Sequence, residues 1–417
     1  MRYDAEKVGL LGPEQKAVPA SAWGRTGADF VAGEPGLATL PTPLVTLDAG
    51  ALSNNRAALA QWAERTGVDL APHGKTTMAP SLWRSQLDDG AWGITVATPW
   101  QLAFALSEGV PCVLAAYPVL VPDVLRLLGA PRTARVLVWA DGVDVVEAMA
   151  PHVADAAQPI DVLVDLGAPG GRTGARSIEA ALDTARAVST TKGLRLAGTA
   201  GYEGALAHDA SPASLETVRG YLSQLAALHT ALRREHDGEL ILTAGGSAYF
   251  DVVAEVLAPL HDPPRTRVVV RSGAYVAHDD GFYRDITPSN RAAGPSFRAA
   301  LHGWVRVISR PEPGLALADG GKRDLPFDEG LPEVQAIRRN GTAPTEALEN
   351  VEVTALADQH TFLRLTGDAE NVRVGDVLRL GLSHPCTTFD KWRLLPVIDD
   401  AHAPQPVVVD LVRTVFG

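Results

Sequence analysis

From about residue 66 to residue 275 the chain alternates short β-branched runs with amphipathic stretches of helical length, and no other feature constrains the fold as much. Strands are predicted at residues 68–71, 92–97, 112–116, 135–140, 160–166, 194–199, 239–243 and 267–271. Helices are predicted between them, for example over 177–187 and over 211–235, where Ser211 and Pro212 supply the start signal. Eight strand-then-helix units in a run of this length is the count that closes a parallel (β/α)8 barrel, whereas an open doubly wound sheet usually has fewer strands. A ninth strand at 44–47, followed by a helix at 53–65, spoils that count and is assigned outside the barrel.

After about residue 290 the helical period fades. Short β-rich segments at 300–308, 315–318, 351–356, 361–365, 377–380, 393–397 and 407–412 are separated by Gly, Pro and Asp turns, which predicts a mostly antiparallel β domain. The expected organisation is therefore a TIM-like barrel over 50–290, with 1–49 and 291–417 combining into the β-rich domain.

Composition narrows the functional classes. The 417 residues carry 37 Lys plus Arg against 49 Asp plus Glu, a formal charge of −12, and no basic block suited to a phosphate backbone, so nucleic acid is not an expected partner. The two cysteines, Cys112 and Cys386, give no disulfide framework, and the charged start lacks the apolar core of a signal peptide; a cytoplasmic address is expected. The apolar stretch 110–121 is cut by Pro111 and Pro118 and is too short to span a bilayer, so no membrane segment is expected. Asn340-Gly341 is first of all a turn signal.

In such a barrel the chemistry sits just after each strand. After the first comes Pro72-His73-Gly74-Lys75-Thr76, which is no phosphate loop because Asp69 stands where a glycine is required. Lys75 is then either a solvated loop lysine or an amine whose pKa is lowered by desolvation and which is thereby freed as a nucleophile. After the fifth strand, Gly170-Gly171-Arg172-Thr173-Gly174 lacks dinucleotide spacing but sets Arg172 in a glycine-lined loop, either facing a ligand or exposed. Tyr202, at the end of the next strand, offers a hydroxyl or mere packing. The last two strands end in Gly245-Gly246-Ser247 and Gly273-Ala274-Tyr275, small residues whose backbone N–H groups suit a phosphate cup. Finally, in His384-Pro385-Cys386 an extended backbone would point imidazole and thiolate the same way, either as an open zinc site or as a chance pairing of a turn histidine with a buried cysteine.

Together these motifs, with Tyr202-Glu203-Gly204 and Thr387-Thr388, resemble the D-serine dehydratase and D-threonine aldolase family, pyridoxal phosphate enzymes of the alanine-racemase-like fold type III. The resemblance runs in order over nearly the whole chain. It implies that Lys75 carries the cofactor and removes the substrate α-proton, and that Arg172 faces the pyridine nitrogen, with Tyr202 also at the cofactor. It implies that Gly245, Gly246, Ser247, Gly273 and Tyr275 bind the phosphate, and that His384 and Cys386 hold Zn2+. Cys386 stands where the aldolases usually have Asp, which leans toward the dehydratases. Ala71 and Thr77 depart from many dehydratases, as does Gln359-His360, and these differences resemble the branch named amino acid deaminase; the role of His360 stays open.

The reaction so implied converts a D-3-hydroxy amino acid such as D-serine, the small-molecule partner, to a 2-keto acid and ammonia. The zinc assignment has a physical basis, because a general acid supplies roughly 3 to 5 kcal/mol toward expelling hydroxide while zinc can offer up to about 12. Retro-aldol cleavage to glycine and an aldehyde is the alternative within the family, and a non-catalytic pyridoxal phosphate carrier is the alternative outside it. A homodimer with the site near the subunit boundary is also implied.

Overall fold

The computed structural model describes residues 3–291 and 294–416. Strand β1 (Leu44–Asp48) leads into a helix (Ala49–Thr66) and then into β2 (Asp69–Leu70), β3 (Ile94–Val96), β4 (Cys112–Ala115), β5 (Arg135–Ala140), β6 (Ile160–Leu166), β7 (Leu194–Gly201), β8 (Leu240–Ala244) and β9 (Thr266–Val270). These last eight form one parallel sheet in the order β2-β9-β8-β7-β6-β5-β4-β3. Its two ends meet, because Trp92 N–H donates to Leu70 O at 2.7 Å, Thr95 N–H donates to Pro72 O at 2.9 Å, and His73 bridges Thr95 in parallel. The sheet is thus a closed barrel, and each predicted strand lies within two residues of an observed one.

Local chemistry starts the helices where the sequence places them. Ser177 and Ser211 accept the N–H of Ala180 and Ser214 at 3.1 and 3.3 Å. Asp48 caps the first long helix through Ala51 N–H at 2.7 Å, which starts that helix at Ala49, earlier than the predicted residue 53. Along the barrel strands side chains alternate between two cores. Leu114, Leu137, Trp139, Leu163, Ile241 and Val269 fill the barrel interior, while Val113, Val136, Val138, Val162 and Val268 belong to the cluster shared with the helices.

The N-terminal end of the barrel is closed by ion pairs of alternating sign. Asp69 pairs with Arg267 at 2.6 Å, Arg267 with Glu239 at 3.2 Å, Glu239 with Arg135 at 2.6 Å, Arg135 with Asp161 at 3.0 Å, and Asp161 with Arg195 at 2.6 Å. The guanidinium groups of Arg135 and Arg267 lie over the Trp92 ring. With one end sealed in this way, the other is left for chemistry.

The second sheet comprises β1, β10 (Leu301–Glu312), β11 (Leu315–Asp319), β12 (Glu333–Arg338), β13 (Thr345–Ala347), β14 (Val351–Leu356), β15 (His360–Leu365), β16 (Val377–Gly381), β17 (Leu394–Ile398) and β18 (Val408–Arg413). Its spine runs β13-β12-β16-β10-β1-β17-β18, with β11, β15 and β14 added along the second half of β10. β1 pairs antiparallel to β10 and parallel to β17, so this early strand lies in the second sheet. β12 and β13 were not expected; their polar residues hide the period, and pairing with β16 makes them strands. Asn340 (φ 50°) and Gly341 (φ 69°) form the turn between them, as that dipeptide requires.

Backbone bonds tie the two sheets together: Ala300 N–H to Ala277 O at 2.7 Å, Asp280 N–H to Leu382 O at 2.9 Å and Val415 N–H to Met78 O at 2.8 Å. The last of these lands three residues beyond Lys75. Among the described residues no helix is long and apolar enough to cross a membrane.

Candidate active site

Lys75 sits in a single 3-10 turn (Gly74–Thr76) after β2. The turn is rigid. A side chain on Gly74 would meet the Trp83 ring at 2.7 Å, and Trp83 Nε1 donates to Gly74 O and to Thr77 Oγ1, both at 3.2 Å. The loop is therefore held from behind while the Lys75 amine projects into the cavity at the barrel mouth. Lost hydration there draws its pKa below the usual lysine range; Cys386 opposes this, and the charges of Arg172 and Arg271 add to it. His73 is pushed well below the histidine range, first by burial and then by Lys75, Arg271 and Arg172, so its imidazole is neutral.

The glycine loop after β6 is braced by Arg176, which donates to the carbonyls of Thr173 at 2.9 Å, Arg172 at 2.6 Å and Gly171 at 3.3 Å. Arg172 projects from it with its guanidinium 4.8 Å from the centre of the Tyr202 ring. Below them lies Arg271, a fully buried guanidinium that donates to Thr243 Oγ1 and Gly201 O, each at 2.7 Å, and stacks 5.0 Å from Trp139. Burial lowers its pKa, opposed by the nearby Glu203 and Asp165 carboxylates.

The two late glycine loops do meet at the mouth. The added Cβ of Gly273 would lie 2.5 Å from His73 O, and that of Gly246 3.0 Å from the Tyr202 ring, so only glycine allows this approach. The N–H groups of Gly245 and Gly246 are taken by Glu203, at 3.0 and 2.7 Å. They shape the cup from behind. Ser247 Oγ accepts Ala274 N–H at 3.1 Å, joining the loops directly. Tyr275 turns its phenol away to Gln86 Nε2 at 3.0 Å and does not line the cavity, so only its backbone can serve the cup.

The predicted extended geometry of His384-Pro385-Cys386 is corrected by the structure. Pro385 is helical (φ −58°, ψ −40°) and Cys386 opens a short helix (Cys386–Phe389), because Pro385 O and His384 O are used to start that turn. The two side chains nonetheless line one cavity, and the His384 imidazole pairs with Asp328 through Nδ1 at 2.7 Å. Burial disfavours the charged imidazole, but Cys386 and Asp328 carry its pKa up to about 9. For Cys386 burial raises and His384, Thr76 and Lys75 lower, with a net downward shift. Cys386 Sγ lies 3.4 Å from Thr76 Oγ1, next to Lys75 in the chain.

The resulting cavity of about 490 Å3 gathers Lys75, Arg172, Tyr202, Gly245, Gly246, Ser247, Gly273, His384 and Cys386, with His73, Thr76, Trp139, Arg271 and Tyr283. The latter group escaped the sequence reading. His73 and Thr76 flank Lys75 in its motif and Arg271 ends the last predicted barrel strand, so these were legible by position, whereas Tyr283 arrives from a short helix (Phe282–Ile286) with no signal of its own. His360 is exposed at the start of β15 and takes no part in the lining.

Residues 300–398 match the family model described as "Putative serine dehydratase domain". The chain is 28% identical over 373 residues to a D-threonine aldolase from Arthrobacter sp, covering 88% of this chain and 91% of that one. The structure of D-threonine aldolase from Filomicrobium marinum superposes with a TM-score of 0.75 at 25% identity, covering 90% of this chain and 97% of its own. The D-threo-3-hydroxyaspartate dehydratase from Delftia sp. HT23 shares the fold, with a TM-score of 0.74 at 21% identity and coverage of 92% and 100%. A closed parallel barrel with a lysine at its mouth, joined to an antiparallel β domain, defines an enzyme of the alanine-racemase-like fold type III. Over most of its length the chain is thus similar to members of the D-serine dehydratase and D-threonine aldolase family.

Proposed function

We propose that this chain is a pyridoxal phosphate- and zinc-dependent dehydratase that converts a D-3-hydroxy amino acid, D-serine or a near relative, into a 2-keto acid and ammonia. The observation that carries this reading is the meeting of His384 and Cys386 with the Lys75 turn in one cavity. The residues fit both groups. The buried Nδ1 of His73 has no hydrogen-bond partner among the described residues, glycine backbones line the cup, and the volume lies within the range of small-molecule sites. Imidazole plus thiolate is a zinc donor set, and two protein ligands leave open positions, the mark of a catalytic rather than a closed structural site.

When bound, pyridoxal phosphate would supply an electron sink for charge at Cα, and zinc would supply Lewis acidity toward the β-hydroxyl. Lys75 is suited to hold the cofactor and then to take the α-proton, since its lowered pKa leaves more of the amine unprotonated. Ser247 and the 273–275 backbone would hold the phosphate, and Arg172 would face the ring nitrogen beside Tyr202. His384 and Cys386 would hold zinc against the cavity wall beside Thr76.

The similarity to the D-threonine aldolase from Arthrobacter sp favours a second reading, retro-aldol cleavage to glycine and an aldehyde. Product analysis with D-serine and D-threonine separates the two. Keto acid and ammonia are expected; glycine plus aldehyde from D-threonine, with no keto acid from any D-3-hydroxy substrate, would move the protein to the aldolase side.

A homodimer fits the exposed apolar rim beside the cavity, where Trp100, Tyr117, Leu120 and Val121 are each 44–50% exposed. Sedimentation at micromolar concentration tests it, and a fully active monomer would rule it out. Two free thiols, Cys112 and Cys386, accord with a cytoplasmic address.

A further inference from the structure

Asp328 lies in the loop between β11 and β12, 56 residues before His384, in a stretch with no recognisable motif. Its two carboxylate oxygens are both engaged by the metal-pair segment: Oδ2 with His384 Nδ1 at 2.7 Å and Oδ1 with the hydroxyl of Thr387 at 2.6 Å. A carboxylate only accepts, so this geometry places the proton on Nδ1. In the neutral ring that metal ligation requires, Nε2 is then the nitrogen that carries the lone pair. Thr387 belongs to the same short helix that Cys386 opens, so one carboxylate fixes both the imidazole plane and the turn carrying the thiol.

We propose that Asp328 is a positioning residue that holds His384 in the tautomer and orientation needed to ligate a divalent metal together with Cys386. The inference rests on the metal assignment above and goes beyond it, because it names a residue outside the ligand pair. Ligating histidines commonly donate their second N–H to a carboxylate, and losing that partner typically costs 10- to 100-fold in metal affinity. Glu329 serves as the internal control. It is exposed and its carboxylate is close enough to Asp328 and His384 to share an ion with them, yet it makes no bond to the imidazole among those described.

The test uses metal-stripped enzyme with pyridoxal phosphate retained, titrated with Co2+ to read the thiolate charge-transfer band and then displaced with Zn2+ to obtain affinity. Asp328→Ala is expected to weaken Zn2+ about 10- to 100-fold. Asp328→Asn, whose carbonyl can still accept from Nδ1–H, should recover much of that loss, and Glu329→Gln should change affinity less than about 3-fold. The cofactor spectrum should be unchanged in all three. Wild-type affinity in Asp328→Ala would overturn the proposal, as would an Asn variant as weak as Ala, which would make Asp328 a ligand itself. If wild type and Cys386→Ala take up Co2+ identically, the metal assignment falls and this inference with it; Cys386-dependent binding that ignores Asp328 overturns the inference alone.

Discussion

The Glu203 carboxylate accepts the backbone N–H of Gly246 at 2.7 Å, and its second oxygen accepts that of Gly245 at 3.0 Å. A fully buried acid on the chain just after β7 thereby shapes the loop after β8, and Arg271 beneath it supplies the nearby positive charge. The shape of this glycine loop is thus set by an acid that need not touch any ligand.

Glu203→Gln should accordingly loosen the cofactor without unfolding the barrel. A glutamine side chain offers one acceptor and one donor where two acceptors are needed, so one loop N–H loses its partner. Pyridoxal phosphate affinity, measured by fluorescence titration, is expected to fall about 10-fold, equivalent to about 1.4 kcal/mol. Unchanged affinity would show that the loop keeps its shape unaided.

Lys75→Ala should abolish the visible absorbance of lysine-linked pyridoxal phosphate and lower turnover by more than about 10³-fold, since the same amine serves as base. No other lysine lines the cavity among the described residues, so no substitute is at hand. An intact cofactor spectrum in this variant would remove Lys75 from its role.

Chelation should stop turnover while leaving the cofactor spectrum in place, because His384 and Cys386 lie on the β domain and the lysine and cup on the barrel. Cys386→Ala should behave like chelated enzyme, with metal content lost. Active protein free of divalent ions would refute the metal assignment.

His229 gives a pH test of stability. Burial between Thr199 and Thr266, which it bonds at 3.2 and 3.1 Å, pushes its pKa down to about 4 from 6.5, with Arg233 adding to the shift. The folded state therefore holds it neutral while the unfolded chain takes up the proton as pH falls below about 6.5. Its contribution is present above that pH and is lost progressively down to about pH 4, by about 3 kcal/mol in all. Denaturation of wild type and His229→Gln should show a stability difference that shrinks over this window; a constant difference would argue against it.

The fold was largely legible because each barrel strand carries its own period and punctuation. The run from Ile160 to Leu166, between a Pro and a glycine loop, reads as a buried strand wherever it occurs. β12 and β13 were not legible, since Glu333–Arg338 becomes a strand only by adding to the edge of β16. The loop residues of the site were found by position after strands, a rule that follows from the barrel itself. The same rule could not say which way Tyr275 turns, because its bond to Gln86 joins residues 189 positions apart.

Sequence by itself thus determined the barrel, the strand β1 outside it and the lysine turn, all of which depend on local period, glycine and proline, or on neighbours in the chain. Tertiary structure alone decided that Cys386 reaches Thr76 across 310 residues, that Asp328 stands behind His384, and that Glu203 rather than a ligand takes the Gly245 and Gly246 N–H groups. The physical reason is range. Periodicity and capping act over a few residues, while hydrogen bonds between distant loops depend on how two sheets dock, and that is set by the packing of all their side chains together.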